Sequence, residues 1–354
     1  MDRRDEIIRL QMDVINQMTR NNLNRIADDL WGVPSAPQVP SPSAETTDVP
    51  ASPAGKAEEE KKTQQTPAAT EQVEEEPPEN IEDLKKELNE YIGLDTVKKE
   101  VESLINLVTV QKMRKENGLP VNDLSLHMVF SGNPGTGKTT VARIMGNIFY
   151  SLGLLPSNKV IELSAKDLVA PYMGQTAPKT HDAMMRGMGG VVFVDEAYSL
   201  TESGSQSGGG FGVEAVAEML QIMENYKNKF ICIAAGYPRE MRQWLDTNSG
   251  LASRFTTTIS FDDYSADELA TIAANIIAKR NLTMSDDART EMLKHFTRLT
   301  ANKGRNFANA REARNYVDKV LLNQGRRLRT EMKLPGFTNE RLYVLEAADM
   351  KIDD

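Results

Sequence analysis

Gly132-Asn133-Pro134-Gly135-Thr136-Gly137-Lys138-Thr139, directly after the apolar run Met128-Val129-Phe130, decides how the rest of the chain is read. It fits the pattern G-x-x-x-x-G-K-[ST] at every position. Glycines let the backbone fold so that several N–H groups point at one phosphate. The Lys138 ammonium then reaches the β- and γ-phosphates, and the Thr139 hydroxyl is placed to hold Mg²⁺. A helix starting near Lys138 adds the positive end of its dipole at the same spot.

A second stretch, Val191-Val192-Phe193-Val194-Asp195-Glu196, is an apolar strand that ends in two acids. Asp195 is placed to join the Mg²⁺ shell, and Glu196 to orient and deprotonate an attacking water. A kinase built on the same loop must keep water out, so the Asp-Glu pair argues for hydrolysis.

Around these stretches, apolar runs and helical periodicities alternate. Strands are expected over 126–131, 159–163, 190–195, 229–235 and 256–261, and helices over 138–152, 177–187, 213–226 and 238–245. This alternation predicts an α/β fold: a parallel five-stranded sheet with helices on both faces, and a phosphate loop at the carboxyl end of a strand. Residues 81–117 read as helical, interrupted at Ile92-Gly93-Leu94. From Ser265 onward three helices are expected, over 265–280, 285–299 and 308–330, with a strand at Arg341–Leu345. The domain boundaries expected are 81–262 for the nucleotide-binding unit and 263–354 for a small α-helical lid.

The first eighty residues differ in kind. Ile7, Ile8, Leu10, Val14, Ile15, Met18, Leu23, Ile26, Leu30 and Trp31 recur at helical spacing, so residues 1–32 are expected to form an amphipathic helix. A lone helix of that length is marginal in water, and its stripe is expected to dock a partner or another copy. Residues 33–80 are rich in Pro, Ala, Ser, Thr, Gln and Glu, with ten acids against three bases between Gly32 and Asn80. Such a composition buries too little apolar surface to offset ordering, and predicts a disordered acidic linker.

The 354 residues carry a net charge of −9, 40% hydrophobic and 26% charged residues. With the acidic excess concentrated in the linker, no basic footprint for nucleic acid or an anionic membrane is legible. No apolar run is long enough for a membrane span, and no secretory leader is expected. Cys232 is the single cysteine, and His127, His181 and His295 are scattered, so no disulfide and no zinc-type cluster is expected. A cytoplasmic location fits this usage.

Ile92 to Val101, Phe193-Val194-Asp195-Glu196-Ala197-Tyr198-Ser199-Leu200 and Phe211-Gly212-Val213-Glu214-Ala215, taken together, resemble the CbxX/CfqX group of AAA+ ATPases, which includes red-type Rubisco activases and stage V sporulation protein K. The resemblance covers about residues 81–350. It implies ATP and Mg²⁺ as cofactors and a hexameric ring with ATP between subunits. By the same resemblance Ile92-Gly93-Leu94 packs on adenine, and Thr140 joins the nucleotide-binding set. Arg254, in Ser253-Arg254-Phe255, reaches the γ-phosphate of the neighbouring subunit. Arg311, in Asn309-Ala310-Arg311, touches the γ-phosphate from its own lid, with Arg314 as a rival on the same helix face. Ala234-Ala235-Gly236-Tyr237 stands where many AAA+ proteins carry a polar sensor, which leaves open the group that senses the γ-phosphate from that strand.

Tyr172-Met173-Gly174 matches the aromatic-apolar-Gly loop that faces the central pore of AAA+ translocases, and Thr201–Phe211 matches the second pore loop in place. A protein client is therefore expected, gripped through apolar contact with little sequence preference. The acidic linker and the extra N-terminal helix are not typical of activases, so Rubisco is not the favoured client. A nucleotide-dependent switch or assembly factor that binds partners without threading them is the alternative. Glu196, Arg254 and the lid weigh against a small-molecule kinase.

Overall fold

The computed structural model describes residues 78–121, 125–201, 210–304, 307–335 and 337–352. The N-terminal helix expected over 1–32, nearly all of the linker expected over 33–80, and residues 202–209 of the expected second pore loop lie outside the described residues.

Two helices come first, α1 (Ile81–Glu90) and α2 (Asp95–Glu116). Asn80 caps α1 by accepting from the Glu82 N–H. The break between them is a turn in which Gly93 and Leu94 both take positive φ. The α/β body then runs β1 (Met128–Gly132), α3 (Lys138–Ser151), β2 (Val160–Leu163), α4 (Ala165–Leu168), α5 (Thr176–Met185), β3 (Val191–Val194), a 3₁₀ turn (Ala197–Leu200), α6 (Phe211–Asn225), β4 (Ile231–Gly236), α7 (Pro238–Asp246), α8 (Ser249–Arg254) and β5 (Thr257–Phe261). All pairings among the five strands are parallel, in the order β2-β3-β4-β1-β5.

Strands covered on both faces read as continuous apolar runs, and β3 is buried at all four positions. Because side chains alternate along a strand, each strand feeds two cores. Met128, Phe130, Val191, Phe193, Ile233 and Phe261 join one core with α1, α2 and α3. Val129, Val192, Val194, Cys232 and Ala234 join the other with α5 to α8.

The first core continues into a helical lid of α9 (Ala266–Lys279), α10 (Asp286–Ala301) and α11 (Ala310–Glu331). Ser265 and Glu268 form a capping box that starts α9, and Ser285 caps α10. The strand expected at 341–345 is shorter than its apolar pattern implied. Residues Asn339–Tyr343 make a 3₁₀ turn, and only β7 (Val344–Leu345) pairs, in parallel, with β6 (Thr283–Met284). Arg327 of α11 explains the geometry: its Nε and Nη2 donate to the two Asp349 carboxylate oxygens, both at 2.8 Å, and its Nη2 also donates to the Val344 carbonyl. The tail is thus held by one guanidinium fork. Neither α4 nor α8 was expected, being too short to show a period. Ser164 with Asp167, and Asn248, supply their caps.

Candidate nucleotide site

The loop after β1 takes the shape its glycines allow. Gly135 (φ 69°) and Gly137 (φ 97°) both lie in the left-handed region. A side chain at Gly135 would strike the Ala308 carbonyl at the start of the lid helix α11, so loop and lid touch backbone to backbone there. Thr136 is fully buried and donates its hydroxyl to the Asn133 carbonyl at 2.8 Å. Lys138 folds back, donating its Nζ to the Gly132 and Asn133 carbonyls, each at 2.8 Å. Burial pulls its ammonium down to about 8, against the opposing pull of Asp195; Arg311 adds to the depression.

A cleft of about 300 Å³ opens at the carboxyl edge of the sheet. It gathers Gly132, Pro134, Gly135, Gly137, Lys138, Thr139 and Thr140 of the loop and first helical turn, Asp195 and Glu196 after β3, Gly236 and Tyr237 after β4, and Arg311 and Arg314 of the lid. Asp195 is locked to the sheet by its N–H, which donates to the Leu163 carbonyl at 2.8 Å. Glu196 takes φ 50°, a costly conformation for a non-glycine residue, and its N–H turns back to Asp195 Oδ1 at 3.0 Å. Ser199 Oγ donates to the Glu196 carbonyl at 2.7 Å and holds that turn.

Of the residues singled out in the sequence, Asn133 and Thr136 shape the loop without lining the cleft. Ile92, Gly93 and Leu94 lie outside its lining too, but Leu94 and Tyr264 approach Gly137 from the side. Ala234 and Ala235 are buried in the two cores, so the end of β4 brings Tyr237 as its polar side chain.

Arg254 is elsewhere. It closes α8 just before β5, at the amino edge of the sheet, and donates to Glu224 Oε2 at 2.8 Å. Ser125, at the foot of β1, donates to the Arg254 carbonyl at 2.6 Å. A five-residue strand separates this edge from the cleft by about 16 Å. Tyr172 and Met173 are 69% and 87% exposed, between α4 and α5, and Gly174 has φ 75°.

Asn309 carries no sequence signature that sets it apart from a helix cap. It is fully buried, with φ 51° and ψ −121°. Its Nδ2 donates to the Pro134 carbonyl (3.2 Å) and Asp263 Oδ1 (2.8 Å), and its Oδ1 accepts the Tyr264 N–H (2.9 Å).

A loop that cradles phosphates, two acids after β3 and a lid with two arginines define a P-loop nucleoside triphosphatase with an α-helical lid. Residues 128–263 match the model of the ATPase family associated with various cellular activities (AAA), and residues 265–354 match that of the AAA lid domain. Stage V sporulation protein K of Bacillus subtilis is 37% identical over 77% of this chain and 84% of its own length. CbbX of Cereibacter sphaeroides is 39% identical over 72% and 80%. The chloroplastic ribulose bisphosphate carboxylase/oxygenase activase of Cyanidioschyzon merolae is 37% identical over 76% and 89%. Among solved structures, the AAA domain of FIGL-1 in complex with ADP superposes with a TM-score of 0.51 at 16% identity, over 74% of this chain and 80% of that one, which speaks to the fold. The chain belongs to the CbxX/CfqX family of AAA+ ATPases. It binds nucleotide, and its reaction is the hydrolysis of ATP to ADP and phosphate.

Proposed function

We propose that this ATPase works as a ring, most simply a hexamer, that remodels a protein client through a central pore. The observation that carries the reading is the separation of Arg254 from its own cleft. Lys138, Asp195 and Glu196 meet at the carboxyl edge of the sheet, while Arg254 sits at the amino edge, held by Glu224. A guanidinium placed there serves a phosphate only on a second copy, which is the geometry of an arginine finger.

Within the cleft, Lys138 neutralises the β- and γ-phosphates, and Glu196 orients and deprotonates the attacking water. Arg311, with Arg314 beside it, meets the γ-phosphate from the lid. Thr139 and Asp195 offer hard oxygen donors on one side of the cleft, a donor set that suits Mg²⁺. Bound there, the ion would spread the charge of the phosphate oxygens. Leu94 beside Gly137 supports an adenine seat formed by Ile92-Gly93-Leu94.

Tyr172 and Met173 expose an aromatic and a thioether, with Gly174 able to flex behind them. Such a tip grips polypeptide through apolar contact. The likeness to the activase supports a protein client and leaves its identity to experiment. Among the described residues no helix is long and apolar enough to cross a membrane. Cys232 is fully buried and its thiol is pushed up to about 12 by burial, an inert group that fits a reducing cytoplasm.

Tyr172→Ala tests the client half of the proposal. Client remodelling is expected to be lost while ATP turnover stays within about threefold of the parent, because the loop lies outside the nucleotide cleft. Remodelling that survives the change would favour a nucleotide switch without threading.

A further inference from the structure

We propose that Asn309 and Asp263 form a polar pin that registers the lid on the phosphate loop and so positions Arg311 and Arg314 for ATP hydrolysis. The positioning rests on the role given to those arginines above.

Three segments meet at this pin. The phosphate loop supplies the Pro134 carbonyl, the Asn133 amide and the Gly135 carbonyl. The connector after β5 supplies Asp263 and the Tyr264 N–H. The first turn of α11 supplies Asn309 and the Ala310 N–H. Asp263 Oδ1 accepts from Asn133 Nδ2 at 2.9 Å and from Asn309 Nδ2 at 2.8 Å, and the Ala310 N–H donates to the Gly135 carbonyl at 3.1 Å. Lys303 Nζ stands 3.5 Å from the second Asp263 oxygen. Asn309 thus uses both amide hydrogens and its oxygen inside the protein.

Two features set the pin apart from an ordinary cap. Asn309 makes no capping bond to its own helix; its side chain is spent on the loop and the connector. Its backbone is held in a strained region of φ/ψ, and such strain persists only where surrounding bonds over-determine it. The Asp263 carboxyl responds in the same sense. Burial pushes it up, but the amides of Asn309 and Asn133 and the Lys303 ammonium outweigh that and hold it below its ordinary value.

The consequence is mechanical. Arg311 begins two residues after Asn309, on the same helix. A rotation of the lid about the connector must either carry the loop carbonyls along or break these bonds, so lid angle and loop shape move together. A displacement of about 1 Å in a charge that meets a transferring phosphoryl is enough to cost turnover heavily.

Asn309→Asp keeps the shape and the acceptor for the Tyr264 N–H, but turns an oxygen on the Pro134 carbonyl and on Asp263. Asp263→Asn removes the charge and sets an amide against Lys303, while its oxygen can still accept from Asn133 and Asn309, so it is the milder change. In the double variant Asn309→Asp/Asp263→Asn the introduced amide at 263 can donate to the introduced carboxylate at 309, which removes the clash of two carboxylates but still leaves an oxygen against the Pro134 carbonyl. Measured as full-length protein at a temperature where every variant is folded, Asn309→Asp is expected to lower kcat/KM for ATP about tenfold or more and Asp263→Asn by less, with the loss in kcat and ADP affinity within about threefold; the unfolding midpoint of Asn309→Asp falls as well, because a carboxylate is then buried against Asp263 and the Pro134 carbonyl. The double variant is expected to regain at least about threefold over Asn309→Asp without reaching the parent. Parent-like kcat/KM in Asn309→Asp, a double variant no better than Asn309→Asp, or ADP affinity lost in step with kcat would overturn the pin. Arg311→Ala and Arg314→Ala, run alongside, decide the role of those arginines separately: if neither lowers kcat, that role falls, while regain in the double variant still judges the pin.

Discussion

His127 shows how one residue ties the amino edge of the sheet together. It sits at the foot of β1, 7% exposed, with its ring 5.5 Å from Phe230 and 6.3 Å from Phe255, and its Nδ1 accepts the Cys232 N–H at 2.9 Å. Accepting that bond requires the neutral ring. Burial, with help from the nearby Arg254 charge, lowers its basicity from 6.5 to about 4. Its folded value is below its unfolded value, so the unfolded chain binds the extra proton between these limits. Stability contributed by this site is therefore whole above pH 6.5 and lost as pH falls towards 4. Denaturant unfolding should show that the parent loses about 2 kcal/mol more than His127→Asn between pH 7.5 and pH 5, since asparagine keeps an acceptor at the Nδ1 position without the titration. Equal pH slopes in the two proteins would contradict this account.

Other single residues were legible for a different reason. The phosphate-loop glycines and Lys138 announce themselves because cradling a phosphate constrains backbone and side chain within eight consecutive positions. Asp195 and Glu196 follow an apolar run that can only be a buried strand. Asn309 could not be read this way, because its partners Pro134, Asp263 and Tyr264 come from distant parts of the chain.

At the scale of elements, the strands were legible and the lid termini were not. A strand buried on both faces needs an unbroken apolar run, and β3 and β4 display one. The paired residues of β6 and β7 are too few to show a period, and they are fixed by contacts about sixty residues apart. Arg327, 12% exposed, is the centre of that arrangement, and the surrounding carboxylates keep its guanidinium charged. Asp349, 1% exposed, also accepts the Glu346 N–H at 2.9 Å. Arg327 keeps Glu331 at 3.2 Å and Glu346 at 3.3 Å, but Asp349→Ala removes both bonds of the fork and the acceptor for the Glu346 N–H, so it should cost about 2 kcal/mol in denaturant unfolding. A change below about 0.5 kcal/mol would mean that the guanidinium finds water or another acid at no expense.

For the whole molecule, the question is whether one chain suffices. On the proposed roles, Glu196→Gln should lower kcat by at least about a hundredfold, as loss of a base would, and Arg254→Ala by about a thousandfold, as loss of an arginine finger would. In a head-to-tail ring each site draws on two neighbouring chains. Mixed in equal amounts, the two inactive variants should regain about a quarter of parent turnover, since a random half of the sites keep Glu196 and half of those face an intact Arg254. Steady-state ATPase assays on mixed and unmixed samples read this directly. No regain on mixing would sink the shared site and return Arg254 to a structural role through Glu224 and Ser125.

The sequence by itself determined the α/β class, the parallel sheet, the phosphate loop and the acids that follow β3, because each depends on neighbours in the chain: a periodicity, a glycine spacing, an apolar run. Only the tertiary structure decided that Arg254 lies a sheet's height from its own cleft, that Tyr237 and both lid arginines border that cleft, and that Asn309 joins lid to loop. Those relations depend on how distant segments pack, and packing energy, unlike local conformational preference, leaves no pattern in consecutive residues.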